Sequence, residues 1–496
     1  MRIYILSLFL LSVPTVIKAQ FFKNSGYAVE MGGDVGGGEH SPFWFNANKH
    51  GVSTINKNSG YLRAALHRPF DLEKDFTYSW GVDLLGGVQY NSAFYLQQIY
   101  FSLKYKPLVL EIGSIEREPE LRNPWLSSGS LTLSNNAHPI PQVRVGLPAY
   151  WTVPFTGNWF HIKGHIAYGM YFDNRFQEDF TNNGAFRTPE GEMPIATHVK
   201  NALFHSKALY GKIGNEKVFP LWFEGGLEMP ARFGGTCYMS DGTIFKAPTG
   251  FSDFMRILVP LKGESTSMIM DQQNVLGDHL GSWNFALSYR PDNWLFKVYF
   301  EHQFNDHSQM FGEYSWRDGL AGLQIDLPKN RFVDCFVFEW LKSTDQSGAI
   351  YWDSTSSIPE QISAIDDYYN HGVYGGWQYA GMGMGNALFI SPVYNTTEQL
   401  LFISNRIKAY HLGISGSPLP QLQYRLLISL ARHWGTYIQP FEKVMHNNNF
   451  MLEMSGEPRK IKGWTFSGAV GLDRSNIIDN NWGISFSVAK RGLMTK

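Results

Sequence analysis

Residues 160–172 read FHIKGHIAYGMYF. Taken alternately they form two faces. One carries Phe160, Ile162, Gly164, Ile166, Tyr168, Met170 and Phe172; the other carries His161, Lys163, His165, Ala167, Gly169 and Tyr171. Successive side chains of an extended chain point to opposite sides, so this is a strand with one apolar and one wet face. Aromatic rings close the apolar strip, as suits a boundary between hydrocarbon and water. The pattern returns along the chain. In 80–90, Trp80, Val82, Leu84, Val88 and Tyr90 oppose Gly81, Asp83, Gly87 and Gln89. In 283–289, Trp283, Phe285, Leu287 and Tyr289 oppose Asn284, Ala286 and Ser288. The turn Arg290-Pro291-Asp292-Asn293 then leads into Trp294, Phe296, Val298 and Phe300 on one face, with Lys297 and Glu301 on the other. Segments 421–431 and 482–488 repeat it.

A soluble β-sandwich also alternates, but its outward face would be rich in Lys, Glu and Thr. Here the second face is small or weakly polar, with isolated charges. Backbone groups facing lipid have no water to bond, so such a sheet must close on itself. The predicted fold is therefore all-β: a transmembrane antiparallel β-barrel of about 18 strands, its lumen plugged by loops or short helices. Strands are expected near 60–68, 77–90, 93–105, 107–115, 159–172, 202–214, 218–232, 281–290, 293–304, 318–327, 331–342, 399–415, 420–433, 460–474 and 481–490. Long irregular segments remain near 34–58, 116–158, 233–279 and 343–398. Such segments in a barrel plug it or form surface loops, and ligand chemistry belongs there rather than on the wall.

Composition agrees. Charged residues are 17% and aromatics 15% of 496 residues, with 49 glycines. Lys and Arg total 42 against 43 Asp and Glu, so no basic excess exists to hold a nucleic acid. The N-terminus MRIYILSLFLLSVPTVIKAQ has a single Arg2, an apolar run to Val13 and Pro14 before Ala19, which predicts a signal peptide over 1–19 and a barrel over 20–496. No cysteine follows to accept a lipid. Cys237 and Cys335 are the only two thiols, which excludes a disulfide framework and leaves one bridge open. The predicted location is the outer membrane of a Gram-negative envelope, with surface-exposed loops, lipid around the wall and a monomeric state.

Several stretches are similar to the Wzi-like capsule assembly family of outer-membrane β-barrels, in its Bacteroidetes branch. They are Ser41-Pro42-Phe43-Trp44-Phe45-Asn46-Ala47-Asn48, the run Ser128 to Gln142 (SGSLTLSNNAHPIPQ), Gly277-Asp278-His279-Leu280-Gly281, Tyr368-Tyr369-Asn370-His371-Gly372 with Gly376-Trp377-Gln378-Tyr379-Ala380-Gly381, Asn405-Arg406-Ile407 and His411-Leu412-Gly413. The resemblance implies an 18-stranded barrel with a blocked lumen and a periplasmic helical part, for which 116–130 and 233–279 offer room. It also implies a lectin-like hold on capsular polysaccharide.

Sugars are held by flat aromatic faces beside amide, imidazole or charged groups that bond hydroxyls. The candidate polysaccharide-binding residues are Trp44, Asn46, Trp125, His138, Tyr368, Tyr369, His371, Trp377 and Tyr379. The plainer reading is that the same aromatics and amides pack a plug and satisfy its turns. Enzyme signatures such as G-x-S-x-G or H-E-x-x-H are missing. Glu116, Glu118 and Glu120 could be posed as paired glycosidase carboxylates, but Arg117 and Pro119 interleave them. Asp366-Asp367, and Asp34 with Glu39, match no Ca²⁺ loop. The sequence thus predicts a non-enzymatic protein with no cofactor and no metal, binding capsular or extracellular polysaccharide. The alternative is a channel passing oligosaccharides or small solutes.

Overall fold

The computed structural model describes residues 24–494, apart from 189–193, 265–266, 268–274, 306–309, 311–315, 329, 347–350, 354–360 and 364–366. The expected leader 1–19 and Asp366 lie outside the described residues. Eighteen antiparallel strands close into a barrel. In chain order they are β1 (Gly26–Gly37), β2 (Gly60–Arg68), β3 (Phe76–Val88), β4 (Phe94–Tyr105), β5 (Leu108–Ser114), β6 (Gln142–Thr152), β7 (Phe160–Met170), β8 (Leu203–Ile213), β9 (Leu221–Glu228), β10 (Gly281–Tyr289), β11 (Leu295–Phe304), β12 (Gly319–Asp326), β13 (Cys335–Lys342), β14 (Ile407–Leu419), β15 (Leu422–Gly435), β16 (Pro440–Gly456), β17 (Trp464–Ser475) and β18 (Trp482–Leu493). Short pieces, Ala231–Phe233 and Asp278–His279, extend β9 and β10 past a break. Strand β1 pairs with β2 on one side and with β18 on the other, Gly26 opposite Leu493 and Gly37 opposite Trp482. The ring has no free edge.

Each stretch expected to be a strand overlaps one, but the one expected over 399–415 begins only at Ile407, and 399–406 belongs to a long connection. Three further strands fill the count, and two of them correct the expected irregular segments. Strand β6 lies inside 116–158, and β1 runs four residues into 34–58. The pairing of β6 with β7 slips between Leu147 and Trp151, around Pro148, whose missing N–H cannot join the ladder. Strand β1 is glycine-rich, and β16 turns Asn447 and Asn449 into the lumen.

The alternation has the predicted sense. Val29, Met31, Ile166, Leu209, Leu287, Val298, Leu430, Ile484 and Phe486 are exposed on the outer face. Their inward neighbours Asn284, Ala286, Ser288, Glu301, Ala431 and Ala489 are buried. A sheet whose outer face is apolar and whose inner face is small or polar is built to stand in hydrocarbon. Val298, 51% exposed near the middle of β11, gives a test. Val298→Arg is expected to destabilise the barrel in lipid by about 2–4 kcal/mol, measured by urea unfolding in bilayers, whereas Val298→Leu should be near neutral.

The connections divide by end. At one end lie turns of two to eight residues (69–75, 106–107, 153–159, 214–220, 290–294, 327–334, 420–421 and 457–463), with both described chain ends. At the other end lie all the long segments, 38–59, 115–141, 171–202, 234–277, 305–318 and 343–406. The helices described are short and belong to these segments: α1 (Phe43–Asn46), α2 (Asn174–Phe180) and α3 (Phe251–Leu258). Of the two stretches with room for the implied helical part, 233–279 holds α3 and 116–130 holds no helix.

Candidate functional site

The long segments turn back into the lumen and close it. Residues 128–132 (SGSLT) run past three carboxylates that the wall aims inward, Glu228, Glu301 and Glu339. Alternation sends the hydroxyls of this segment to that row. The Ser128 amide donates to Glu339 at 2.7 Å, Ser130 Oγ to Glu301 at 2.7 Å and Thr132 Oγ1 to Glu228 at 3.1 Å. Arg122, on the same segment, meets Glu301 at 2.8 Å with both groups fully buried. Neutral donors complete the row: the Leu131 amide to Glu301 at 2.9 Å and Tyr299 to Glu339 at 2.6 Å. Buried charge is tolerated only when paired and bonded in this way.

The second half of the seal is 367–405. Trp377, buried, donates its indole N–H to the Thr132 carbonyl at 2.9 Å, and Tyr369 donates to the Leu131 carbonyl. Arg232 joins Asp278 at 2.9 Å and the Gly376 carbonyl at 2.6 Å, tying this half to the wall. Asn386 reaches the Gly129 carbonyl at 2.7 Å. Asn405 reaches the Tyr368 carbonyl at 2.9 Å and also Asp367, whose carboxyl burial pushes up to about 6. His411, from β14, bonds the Leu126 carbonyl at 2.8 Å. Two residues on, Gly413 is a glycine because a Cβ there would sit 2.3 Å from the same carbonyl oxygen. The third element, α1, lies against β17, where the Phe43 amide donates to Asp473 at 3.0 Å.

Most of the nine candidate residues are parts of this seal. Trp44, Asn46, Tyr368, Tyr369, Trp377 and Tyr379 are buried in it. Trp44 packs on the His411 ring at 5.0 Å, and Asn46 bonds the Ser41 and Pro42 carbonyls. His371 is half-buried, its Nδ1 accepting the Val373 amide at 3.1 Å, and burial holds its pKa below the ordinary value. Trp125 stands apart. It is 39% exposed and faces the turn end of the lumen, where Arg425 bonds its carbonyl at 3.0 Å and lies over its ring.

Only His138 and Tyr379 are brought together toward the loop-end rim. The imidazole of His138 stacks on Tyr95 at 5.0 Å, meets Tyr379 edge-on at 6.4 Å and bonds Gln97 at 2.8 Å. Burial pulls its pKa down to about 4, so the ring is neutral at neutral pH. Tyr90 meets Tyr95 at 6.3 Å and completes an aromatic flight from the rim into the seal. Neither tyrosine is among the nine candidates, and the alternation over 80–90 puts Tyr90 on the apolar face. Strand β3 instead ends at Val88, Gln89 takes a left-handed φ of 65°, and the Tyr90 ring folds over Gly87 on the lumen side. The short turn between two tyrosine-bearing strand ends was the available signal.

On the turn side of the seal, the wall β5–β8 and residues 116–120 enclose a cavity of about 280 Å³. Its charges pair by opposite sign, Arg117 with Glu111 at 2.7 Å, Lys163 with Glu120 at 2.5 Å and Arg144 with Glu111 at 3.9 Å, and Arg144 also donates to His165 at 2.8 Å. Tyr150 and Tyr210 flank the Lys163 ammonium at 4.6 and 5.2 Å. The three glutamates of 116–120 each have their own partners. Glu116 is held by Arg63 at 2.7 Å, Glu118 by His50 at 3.2 Å and Asn135 at 2.9 Å, and Glu120 by Lys163. Among the described residues, no three His, Cys, Asp or Glu are grouped to hold a metal ion. Cys237 and Cys335 are buried free thiols, so the bridge left open by the sequence is not formed.

No protein-family model and no curated protein sequence matches this chain. Among solved structures it is similar to Wzi, described as an outer-membrane protein involved in group 1 capsule assembly in Escherichia coli and as a carbohydrate-binding β-barrel. The TM-score is 0.57 at 11% identity, over 97% of this chain and 87% of that one. OccAB2 of Acinetobacter baumannii aligns at a TM-score of 0.47 and 10% identity, covering 95% of this chain and 98% of the other. OccK5 of Pseudomonas aeruginosa aligns at 0.45 and 9%, with the same coverage. At such identities the likeness is one of fold, an outer-membrane type of β-barrel.

Proposed function

We propose that this chain is a non-enzymatic outer-membrane barrel of the Wzi-like capsule assembly kind, which binds capsular or extracellular polysaccharide and retains it at the cell surface. The assignment to a Bacteroidetes branch rests on the motif resemblance alone. The observation that carries the reading is the seal. Loops cross-linked by buried carboxylates, Arg122 and Trp377 fill the lumen at mid-height, which suits a holder better than a conduit. Barrels of this type keep short turns in the periplasm and long loops outside, which sets the long-segment end toward the medium, with the leader 1–19 serving export. Glycan contact then falls on the outer rim, where Tyr90, Tyr95 and His138 offer flat faces near the exposed amide of Asn56. The buried candidates Trp44, Trp377 and Tyr369 act by fixing the shape of that rim. Weak contacts repeated along a polymer add by multivalency, so no deep pocket is required. A monomer suffices for this task.

The second reading, a channel for oligosaccharides or small solutes, is favoured by the charged cavity on the turn side. One experiment separates the two. Cells lacking the gene are complemented with the wild-type chain or with Tyr90→Ala/Tyr95→Ala, cell-bound and released polysaccharide are assayed, and the purified proteins are examined in planar bilayers. Retention restored by the wild type, shed polysaccharide with the variant, and a silent bilayer are expected. Equal retention in all strains with a steady open conductance would overturn the binding reading in favour of the channel.

A further inference from the structure

Helix α3 lies outside the barrel. The wall residues it covers belong to the outward-facing set: Tyr168 follows Ile166 on that face of β7, and Lys207 precedes Leu209 on that face of β8. Tyr168 donates to the Phe254 carbonyl at 2.8 Å, and its ring lies 5.3 Å from that of Phe254. Phe254 also meets Phe233 edge-on at 5.2 Å, and Ile257 is fully buried with Ala231, Phe233 and Leu276. One apolar stripe of the helix, Phe254 and Ile257, is thus spent on the barrel wall.

A second apolar stripe has no protein partner among the described residues. Phe251 and Met255 stand four residues apart on the helix and are 81% and 45% exposed, and Val259, the residue that caps its C-terminus, is 54% exposed. Residues four apart share one helical face. Below this stripe, toward the turn end, the outer wall continues with Leu209, Ile213 and Ile166, all exposed and apolar. The stripe therefore extends the lipid-facing belt rather than interrupting it.

Lys207 explains why the helix stays down. Its ammonium points outward on a lipid-facing strand, where a bare charge is costly. The helix C-terminus covers it: Lys207 Nζ donates to the Ile257 carbonyl at 3.0 Å and to the Leu258 carbonyl at 2.7 Å. Those carbonyls have no partner within the helix, and the helix dipole favours a cation at that end. Lifting the helix would expose both the lysine and the orphan carbonyls to hydrocarbon.

We infer that α3 is an interfacial membrane element whose outer stripe, Phe251, Met255 and Val259, is buried among the acyl chains of the leaflet nearest the long loops. Amphipathic helices lie in this plane with their apolar side in the chains and their charges at headgroup level. Arg256, paired with Glu264 at 2.6 Å, and Lys262 supply those charges. The inference rests on the membrane location proposed above and not on the glycan reading.

The full-length protein is reconstituted in phosphatidylcholine vesicles with a nitroxide label at Met255→Cys. Leu209→Cys serves as the belt reference and Lys217→Cys, on an exposed turn, as the aqueous reference. Wild type without an added cysteine, carried through the same labelling reaction, reports any signal from the buried Cys237 and Cys335. The ratio of oxygen to nickel-chelate collision rates at Met255 is expected to exceed that at Lys217 and to approach that at Leu209. A ratio at Met255 equal to that at Lys217, with Leu209 reading as lipid, would overturn the inference. A Leu209 label reading as aqueous would instead overturn the membrane location. A second label at Phe251→Cys guards against a local effect of one substitution and should give the same answer.

Discussion

An Arg122→Ala chain should keep its barrel and lose its seal. The guanidinium sits against Glu301 with both side chains out of contact with water. It also donates to the Gly129 carbonyl at 2.8 Å and lies 5.4 Å from the centre of the Tyr299 ring. Removing it leaves a carboxylate buried among Ser130, the Leu131 amide and two further wall carboxylates. Breaking one partner from a buried ion pair costs about 3–5 kcal/mol. That cost falls on the closed plug, because the strands bond one another independently of it. Planar-bilayer recordings should therefore show openings that the wild type lacks, while the unheated protein keeps the compact mobility of a folded barrel on electrophoresis. Arg122→Met with Glu301→Leu removes both charges together and should be milder than Arg122→Ala, since no group is then left unpaired. If the single variant is as silent and as heat-resistant as the wild type, the ion pair does not carry the closure.

Trp377→Ala should be equally damaging by a different route. The indole is buried in the apolar heart of the seal, beneath the Arg232 guanidinium at 5.2 Å, with its N–H on the Thr132 carbonyl. Truncating a buried tryptophan leaves a cavity and costs about 3–5 kcal/mol. Trp377→Phe keeps most of the volume and strands the carbonyl, a penalty of about 1–3 kcal/mol. Near-ultraviolet circular dichroism during heating should show the plug melting earlier in the order wild type, Phe, Ala, with the far-ultraviolet strand signal unchanged until the barrel itself fails. Superimposed melting curves for wild type and Ala would mean that this residue is not a structural pin.

The wall was legible in the sequence wherever both of its faces kept their contrast. In 160–172, 283–289 and 482–488 the outer side is apolar and mostly exposed and the inner side meets the packed lumen, so period-two alternation survives. It blurred where the plug makes special demands. Strand β16 needs Asn447 and Asn449 on its inner face, so HNNNF resembles a loop, and β6 bends at Pro148. The quoted motifs proved to be seams between plug and wall. Ser128 and Thr132 serve the carboxylate row, Asp278 holds Arg232, Asn405 holds the Tyr368 carbonyl, and His411 with Gly413 receives Leu126. Their chemistry is that of a sugar site as well, since both need flat rings beside amides. Burial alone separates the two uses, and burial is set by contacts hundreds of residues apart, such as that between Leu126 and His411. The rim tyrosines were hidden for a related reason: an aromatic at a strand end faces lipid or lumen according to one backbone torsion at Gln89.

The pairing of the first strand with the last bears on how the molecule is made. Twelve residue pairs join Gly26–Gly37 to Trp482–Leu493 across nearly the whole chain. Contacts of such sequence separation form late and slowly during folding. A polypeptide ending before Trp482 would leave two raw sheet margins whose backbone amides and carbonyls lack their partners. Biogenesis of this ring is accordingly all-or-nothing, and nascent chains must be sheltered until their final twelve-residue strand arrives.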